Sequence, residues 1–579
     1  MTVNTSRFMT LEQTAKLIAR AAKAQADPSA LSPHWGGEKY DNIAAWLDLR
    51  RDGKLYSVLV PKWGYSHDTK CVKADANYGL VCEPSTATAA GRDDYRDLHP
   101  FEWHHVNGGP DGEDGWTVTA IDGDGMFKRD GSNGNVWVLA PTLWWSYTDT
   151  GTHYKLTVCD TPREGLSPQP GAKRPDGTVR PYMLYAAYGG GMYGGKYASV
   201  SGVPLRTTDV SYQSLIDICK AAGDGLTSKT HADDWYVKAM FLLKYATKSS
   251  QEVFSGCSSY DVQVTPTVAE TAVRRVVLAN ADAAKLLVGS AVMLGNKGSN
   301  SSTDRAQSYN HDVTLSARIA RVEAYDASNK AVYLDTSESF DTATTQLLST
   351  APWQTGACDA VQGSDGSPTS CTSGKEPFRI QGIEGSYGAY EIVGNVVLDA
   401  RDADDGSLRE DVYVCYDCDK LVKDGVSADY TATGATLPTA ASAGWVWEAD
   451  VENVGGLLLG VGTGASSSTG TGNATYQDVA DSKGYREFLG LGYLGNGLGA
   501  GLFYVNGNDR LDRANWNIAG RLSGRQRETP GASLPAPPTR AGAGTPARHE
   551  QNRPIRPRAG SAWARQLGRA TRKPTKGCG

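Results

Sequence analysis

Tyr493, Asn496, Leu498, Gly499, Tyr504, Asn506, Asn508, Asp509, Arg510, Asp512, Arg513, Asn515 and Asn517 crowd into one short stretch, Gly490 to Arg521 (GLGYLGNGLGAGLFYVNGNDRLDRANWNIAGR). Phenol, amide, carboxylate and guanidinium groups at this density suit recognition. They combine rigid amphipathic area with adaptable hydrogen bonding. Between them runs a frame of Leu491, Leu494, Ala500, Leu502, Val505, Ile518 and Ala519. Glycine and asparagine disfavour a helix, and a plain core strand has no need of so many polar tips. The stretch therefore predicts short strands and ordered loops that hold up a ligand-binding face.

Other groupings offer chemistry with less support. Cys415 and Cys418 have the spacing of a zinc knuckle or a redox pair, but zinc takes four ligands and no second pair stands nearby. Buried thiols on a strand are the favoured reading. His99, His104 and His105 with Glu102 could ligate a metal; their aromatic setting favours a hydrogen-bonded structural cluster. The Asp/Gly runs at 111–115, 122–131 and 399–406 lack the ligand spacing and closing Glu of an EF-hand, so turn chemistry is the default reading. A structural calcium ion stays open there, and no other metal or cofactor is expected. The adjacent acids Asp93/Asp94, Asp233/Asp234 and Asp404/Asp405 rarely point into one cleft. Phosphate-loop, nucleophile-elbow and HExxH patterns are missing. No catalytic residue and no enzyme activity is expected.

These residues need a scaffold, and 579 residues are too many for one core. Apolar content of 40% with 66 glycines, 28 tyrosines and 14 tryptophans favours a β- and loop-rich protein. Thr10-Leu-Glu-Gln13 opens an N-terminal helix over 1–30, expected to serve oligomerisation or attachment. A β-rich region follows over 31–97. Ser211 starts one helix and the capping box Thr230-His-Ala-Asp233 another. Residues 262–349 have the texture of a small inserted β-barrel or sandwich, turning at Ser328-Asn329. From Gln526 onward the chain is Arg-, Pro- and Ala-rich with a balance of +9, which leaves −15 on the rest of a chain whose net charge is −6. The tail over 525–579 is expected to be disordered, and without interleaved aromatics it predicts no specific nucleic-acid partner. The chain lacks a signal-peptide pattern and any run long enough for membrane insertion.

The stretch REFLGLGYLGNGLGAGLFYVNGNDRLDRANWNIAGRLSG resembles the variable region of proteins diversified by diversity-generating retroelements, as carried by phages and bacteria. VSYQSLIDICKAAGDGLTSKTHADDWYVKAMFLL, PYMLYAAYGG and IEGSYGAYEIVGNVV are similar to further segments of such proteins. The resemblance implies an α+β fold. Its expected core is a C-type-lectin-like (formylglycine-generating-enzyme-like) domain over 98–261 and 350–524, with a variable ligand-binding region at 484–523. It marks Leu498, Gly499, Asp509, Arg510, Asp512 and Arg513 as diversified positions. Asn496, Asn506, Asn508, Asn515 and Asn517 are template-like, and Trp516, Ile518 and Arg521 are scaffold. No cysteine pair lies within 516–523, so the oxidase activity of some lectin-fold relatives is not expected. The implied function is a phage or prophage tail-fibre receptor-binding protein, made in the bacterial cytoplasm and carried in the virion. Its expected partners are a bacterial surface protein or glycan, other phage tail proteins, and copies of itself (three, if it forms a fibre). A tail-associated glycan hydrolase and a bacterial surface or defence sensor are the alternatives.

Overall fold

The computed structural model describes residues 43–48 and 50–528 apart from 63–68, 87–88, 111–114, 298–304, 306, 360–372, 440–443, 463–473, 478–482 and 525–526. All described residues fall in one compact unit. The expected helix over 1–30 lies outside them, as does the tail beyond Glu528.

The expectation of an α+β, lectin-like class is overturned, because strands hold 43% of the described residues and helices 12%. Among the described residues only the helices Tyr212–Ala222 and His231–Tyr245 exceed two turns. Both have strong local start signals. The Ser211 hydroxyl accepts the Ser214 N–H at 3.2 Å while the Ser211 N–H donates to the Ser214 hydroxyl at 2.8 Å. The Thr230 N–H and hydroxyl both donate to Asp233 Oδ2, at 2.8 and 2.6 Å. Such reciprocal capping satisfies amides that the first turn leaves unpaired. These signals dominate the sequence, but most of the chain between them is short strand and turn.

Among the described residues four large sheets organise the fold. Tyr56–Pro61 lies between His153–Cys159 and Val72–Asp75 in a five-stranded sheet. A six-stranded sheet runs from Leu226–Ser228 through Leu522–Gly524, Tyr182–Ala186, Val136–Pro141 and His104–Pro110 to Trp116–Ile121. Residues 263–351 close a second six-stranded sheet around their own apolar cluster, including Val276, Leu294, Ile319 and Val332. The largest sheet is built on the long strand Tyr390–Asp402, flanked by Leu408–Cys415 and Gly484–Leu491. Beyond Gly484–Leu491 follow Gly501–Asn506, Ala474–Gln477 and Gly444–Trp447.

The His231–Tyr245 helix is buried almost all round, carrying Trp235 against Trp145 (ring centroids 4.8 Å) and Tyr236 stacked on Tyr185 (4.2 Å). It also takes charges inside. Lys229 Nζ lies 2.9 Å from Glu391 and 3.3 Å from Asp234, whose other oxygen is 2.6 Å from Lys238 Nζ. The Arg521 guanidinium lies 3.1 Å from Glu391 and donates to the Ala186 and Glu384 carbonyls. The Ser523 hydroxyl donates to Asp233 at 2.8 Å. Lys229, Asp233, Asp234, Lys238, Glu391 and Arg521 line a small cavity of about 30 Å³, room for a water or two. Burial pushes the Glu391 carboxyl up, but Arg521 and Lys229 outweigh it and hold the group at about 2.

Removing one member of such a network strands the others in low dielectric, at a cost of about 3–5 kcal/mol. Urea unfolding of Glu391→Gln at neutral pH is expected to show a loss of that order. Paired Glu391→Met and Arg521→Met changes should recover part of it, since the uncompensated charges are then fewer. An unchanged midpoint for Glu391→Gln would show that the network holds nothing in place.

Candidate functional site

The segment that drew attention in the sequence is held between two sheets. Gly484–Leu491 enters along the largest sheet, and Leu491 (φ +69°) with Gly492 (φ +93°) turns the chain out of the strand. Gly501–Asn506 returns antiparallel to it. Ile518–Ala519 then pairs in parallel with Tyr390–Asp402. Three residues later Leu522–Gly524 has joined the other sheet, between Leu226–Ser228 and Tyr182–Ala186. The frame residues Leu494, Ala500, Leu502, Val505 and Ile518 are buried.

The thirteen candidate residues divide by exposure. Leu498, Arg510, Asp512 and Arg513 face solvent, and Leu498 is 57% exposed. Arg510 and Asp512 pair with each other at 2.9 Å. Tyr493, Asn496, Asn508, Asp509 and Asn515 are half-buried. Asn496 Oδ1 accepts the Tyr493 N–H at 2.8 Å and Asn515 Oδ1 the Trp516 N–H at 2.8 Å, so both amides shape the loop. The Asp509 carbonyl accepts the Glu487 N–H at 2.9 Å. Burial pushes the Asp509 carboxyl up, opposed by Arg513 and Arg486.

Four expected contact residues are inside instead. Tyr504 is fully buried with its ring parallel to that of Tyr390 at 5.9 Å, and burial pushes its hydroxyl well above the usual range. Asn506 is buried, and its side-chain oxygen accepts the Asn508 N–H at 2.8 Å. Asn517 is buried, and its carbonyl accepts the Tyr390 N–H at 2.8 Å. Gly499 lies beneath the Trp445 indole, which an added Cβ would meet at 2.3 Å. The reason is common to Tyr504 and Asn506. Gly501–Asn506 is covered on both faces, so alternation brings none of its side chains to solvent.

Sequence reasoning missed other residues around the segment. Trp445, in the strand Gly444–Trp447, is 40% exposed, and its ring lies 5.2 Å from Tyr476 and 5.9 Å from Tyr504. The available signal was the Trp-x-Trp pattern of Trp445 and Trp447, which puts two indoles on one face of a strand. Arg305, buried, lies 5.0 Å over the Trp516 ring and pairs with Asp261. Ala291, Met293, Ala351 and Trp353 share one apolar cluster with Leu494, Trp516 and Ala519. The 263–351 module therefore buttresses the segment.

Most of the remaining candidates are occupied within the fold, and residues 111–114 of the first Asp/Gly run lie outside the described residues. Cys415 and Cys418 are buried thiols. His99 Nδ1 bonds Asp160 at 2.9 Å, His104 Nε2 bonds Glu102 at 2.6 Å, and His105 Nε2 bonds the Gly382 carbonyl at 2.7 Å. Asp124, Asp130 and Asp405 accept amides of their own turns. Asp93 bonds Lys244, Asp94 bonds Arg92, and Asp233 and Asp234 belong to the buried network. Among the described residues no three His, Cys, Asp or Glu side chains converge in a way that could hold a metal ion.

Two buried acids lie under the segment. Glu487 Oε1 accepts the Tyr212 N–H at 2.7 Å, at the start of the Tyr212–Ala222 helix. Glu410 sits against Gly507 with both carboxyl oxygens unbonded. Burial pushes the Glu410 carboxyl up to about 8, against the opposing pull of Arg486. No protein-family model and no curated protein matches this chain.

A carboxyl that stays protonated in the fold but ionises near its ordinary 4.5 when unfolded costs stability as pH rises. Its contribution is complete below about 4.5 and is lost progressively towards about 8. Glu410→Gln keeps the neutral shape and removes the proton. Denaturant titrations near pH 6 and pH 8 should show this variant gaining about 2 kcal/mol on the parent between the two. An equal difference at both values would mean that the native carboxyl is already ionised.

Proposed function

We propose that the chain is a receptor-binding protein of a phage or prophage tail, and that it grips a bacterial surface molecule through the outward side of the 490–521 segment. One observation carries this reading: the segment has a buried frame and an outward set, with half-buried residues between them. Leu494, Leu502, Tyr504, Val505 and Ile518 lie inside, and Leu498, Arg510, Asp512 and Arg513 lie outside. Such a division lets the surface change while stability stays constant. Both ends of the segment are fixed in different sheets, which limits how far a change in the loop spreads. The resemblance to retroelement-diversified proteins supports the same reading, with the diversified set now narrowed to outward positions. Several copies on one tail would raise a weak single-site affinity by ~10²–10⁴.

The test exchanges Leu498, Arg510, Asp512 and Arg513 together and measures binding to a panel of bacterial strains alongside the melting temperature. The strain preference should change while melting moves by only a few degrees, since surface substitutions usually stay within about ±0.5 kcal/mol. Tyr504→Ala, by contrast, should cost about 3–5 kcal/mol. Unaltered strain preference after the fourfold exchange would remove the segment from recognition.

A further inference from the structure

We propose that the uncharged aromatic pair Trp445 and Tyr476 is a fixed anchor of the binding face and takes a neutral glycan, one sugar ring lying on the indole. The proposal rests on the receptor-binding reading and narrows it to a ligand class.

Trp445 and Tyr476 are directly opposed in the antiparallel pair Gly444–Trp447 and Ala474–Gln477, so they project to the same face of the sheet. Trp447, two residues on, shares that face, its ring 6.4 Å from Trp445 and inclined by 22°. Tyr504 braces Trp445 at 5.9 Å, and the missing side chain of Gly499 leaves the indole its seat. Leu498, next to Gly499, is exposed. A large aromatic side chain held this firmly yet 40% exposed offers contact area at little entropic cost.

Area and charge select the occupant. Trp445 and Leu498 together leave roughly 200 Å² exposed, against about 800 Å² that a stable protein interface takes from each partner. The rings packed against Trp445 belong to Trp447, Tyr476 and Tyr504, all uncharged. None of these three rings offers an ionic ligand a counter-charge. Of the outward charges, Arg510 and Asp512 pair with each other, and Arg513 acts on the neighbouring Asp509 carboxyl. A pyranose has a flat face of weakly positive C–H groups that suits the negative face of an indole, and hydroxyls at its rim for neighbouring amides. Trp445 lies outside 490–521, so exchanges within that segment leave the anchor in place and alter only what surrounds the sugar.

The test uses the full chain on cells of a strain it binds, either treated with periodate to cleave sugar diols or treated with protease. In parallel, tryptophan fluorescence is titrated with maltohexaose, chitohexaose and mannan. Periodate should abolish cell binding and protease should spare it. Trp445→Ala should weaken binding about tenfold or more, Trp445→Phe should restore part of it, and both should melt within a few degrees of the parent. Binding lost to protease but kept after periodate overturns the glycan class and leaves the receptor-binding reading standing. Parental affinity in Trp445→Ala overturns the anchor. Absence of both cell binding and a fluorescence response overturns the anchor and the receptor-binding reading together.

Discussion

Arg521 is the point on which the architecture around the segment turns. The chain leaves the largest sheet at Ile518–Ala519 and enters the six-stranded sheet at Leu522–Gly524. At the crossing, one guanidinium bonds Glu391 in the first sheet and the Ala186 carbonyl in the second. Lys229 reaches the same Glu391, and Asp234 links Lys229 to Lys238 on the central helix. A buried ion network adds little net stability, because desolvation offsets most of its attraction. Its effect here is on register. Its members come from the helix, the long strand and the closing strand, so the placement of these elements that makes all the bonds together also sets where the loops between residues 492 and 517 begin and end.

The local features were legible where one turn of chain carries its own signal. The reciprocal bonds of Ser211 with Ser214 and of Thr230 with Asp233 are four-residue patterns, and both helices start there. The apolar frame Leu494, Leu502, Val505 and Ile518 could likewise be read from residue type. The facing of Tyr504 and Asn506 could not. Alternation tells which residues share a face, but when both faces of a strand are covered it gives no outside. The class was misread for a different reason: it rests on the resemblance, whereas the composition, rich in glycine, tyrosine and tryptophan, points to a β- and loop-rich chain.

Residues 263–351 show what a sequence conceals about assembly. They build their own sheet and apolar cluster, which suggests independence. Yet Arg305 lies over Trp516, and Met293 and Trp353 share a cluster with Leu494. These contacts join residues 141 to 211 positions apart in the sequence, and no periodicity announces them. The module is part of what makes the segment rigid. That rigidity lets an exposed residue at 498 or 513 vary without moving its neighbours.

The same packing sets a limit on variation inside the segment. An added Cβ at Gly507 would meet the Glu410 carboxyl at 2.2 Å, and at Gly499 the Trp445 ring at 2.3 Å. Something must shift in either case, and at Gly507 the Glu410 oxygens have little room because they sit in a buried site. Codons for Gly499 and Gly507 are therefore constrained by what lies beneath them, although both stand among the most variable-looking letters of the chain. Freedom to change follows exposure, which the fold assigns to Leu498, Arg510, Asp512 and Arg513. Composition alone spreads it over the whole stretch, because glycine and asparagine suit a tight backbone as well as they suit a binding face.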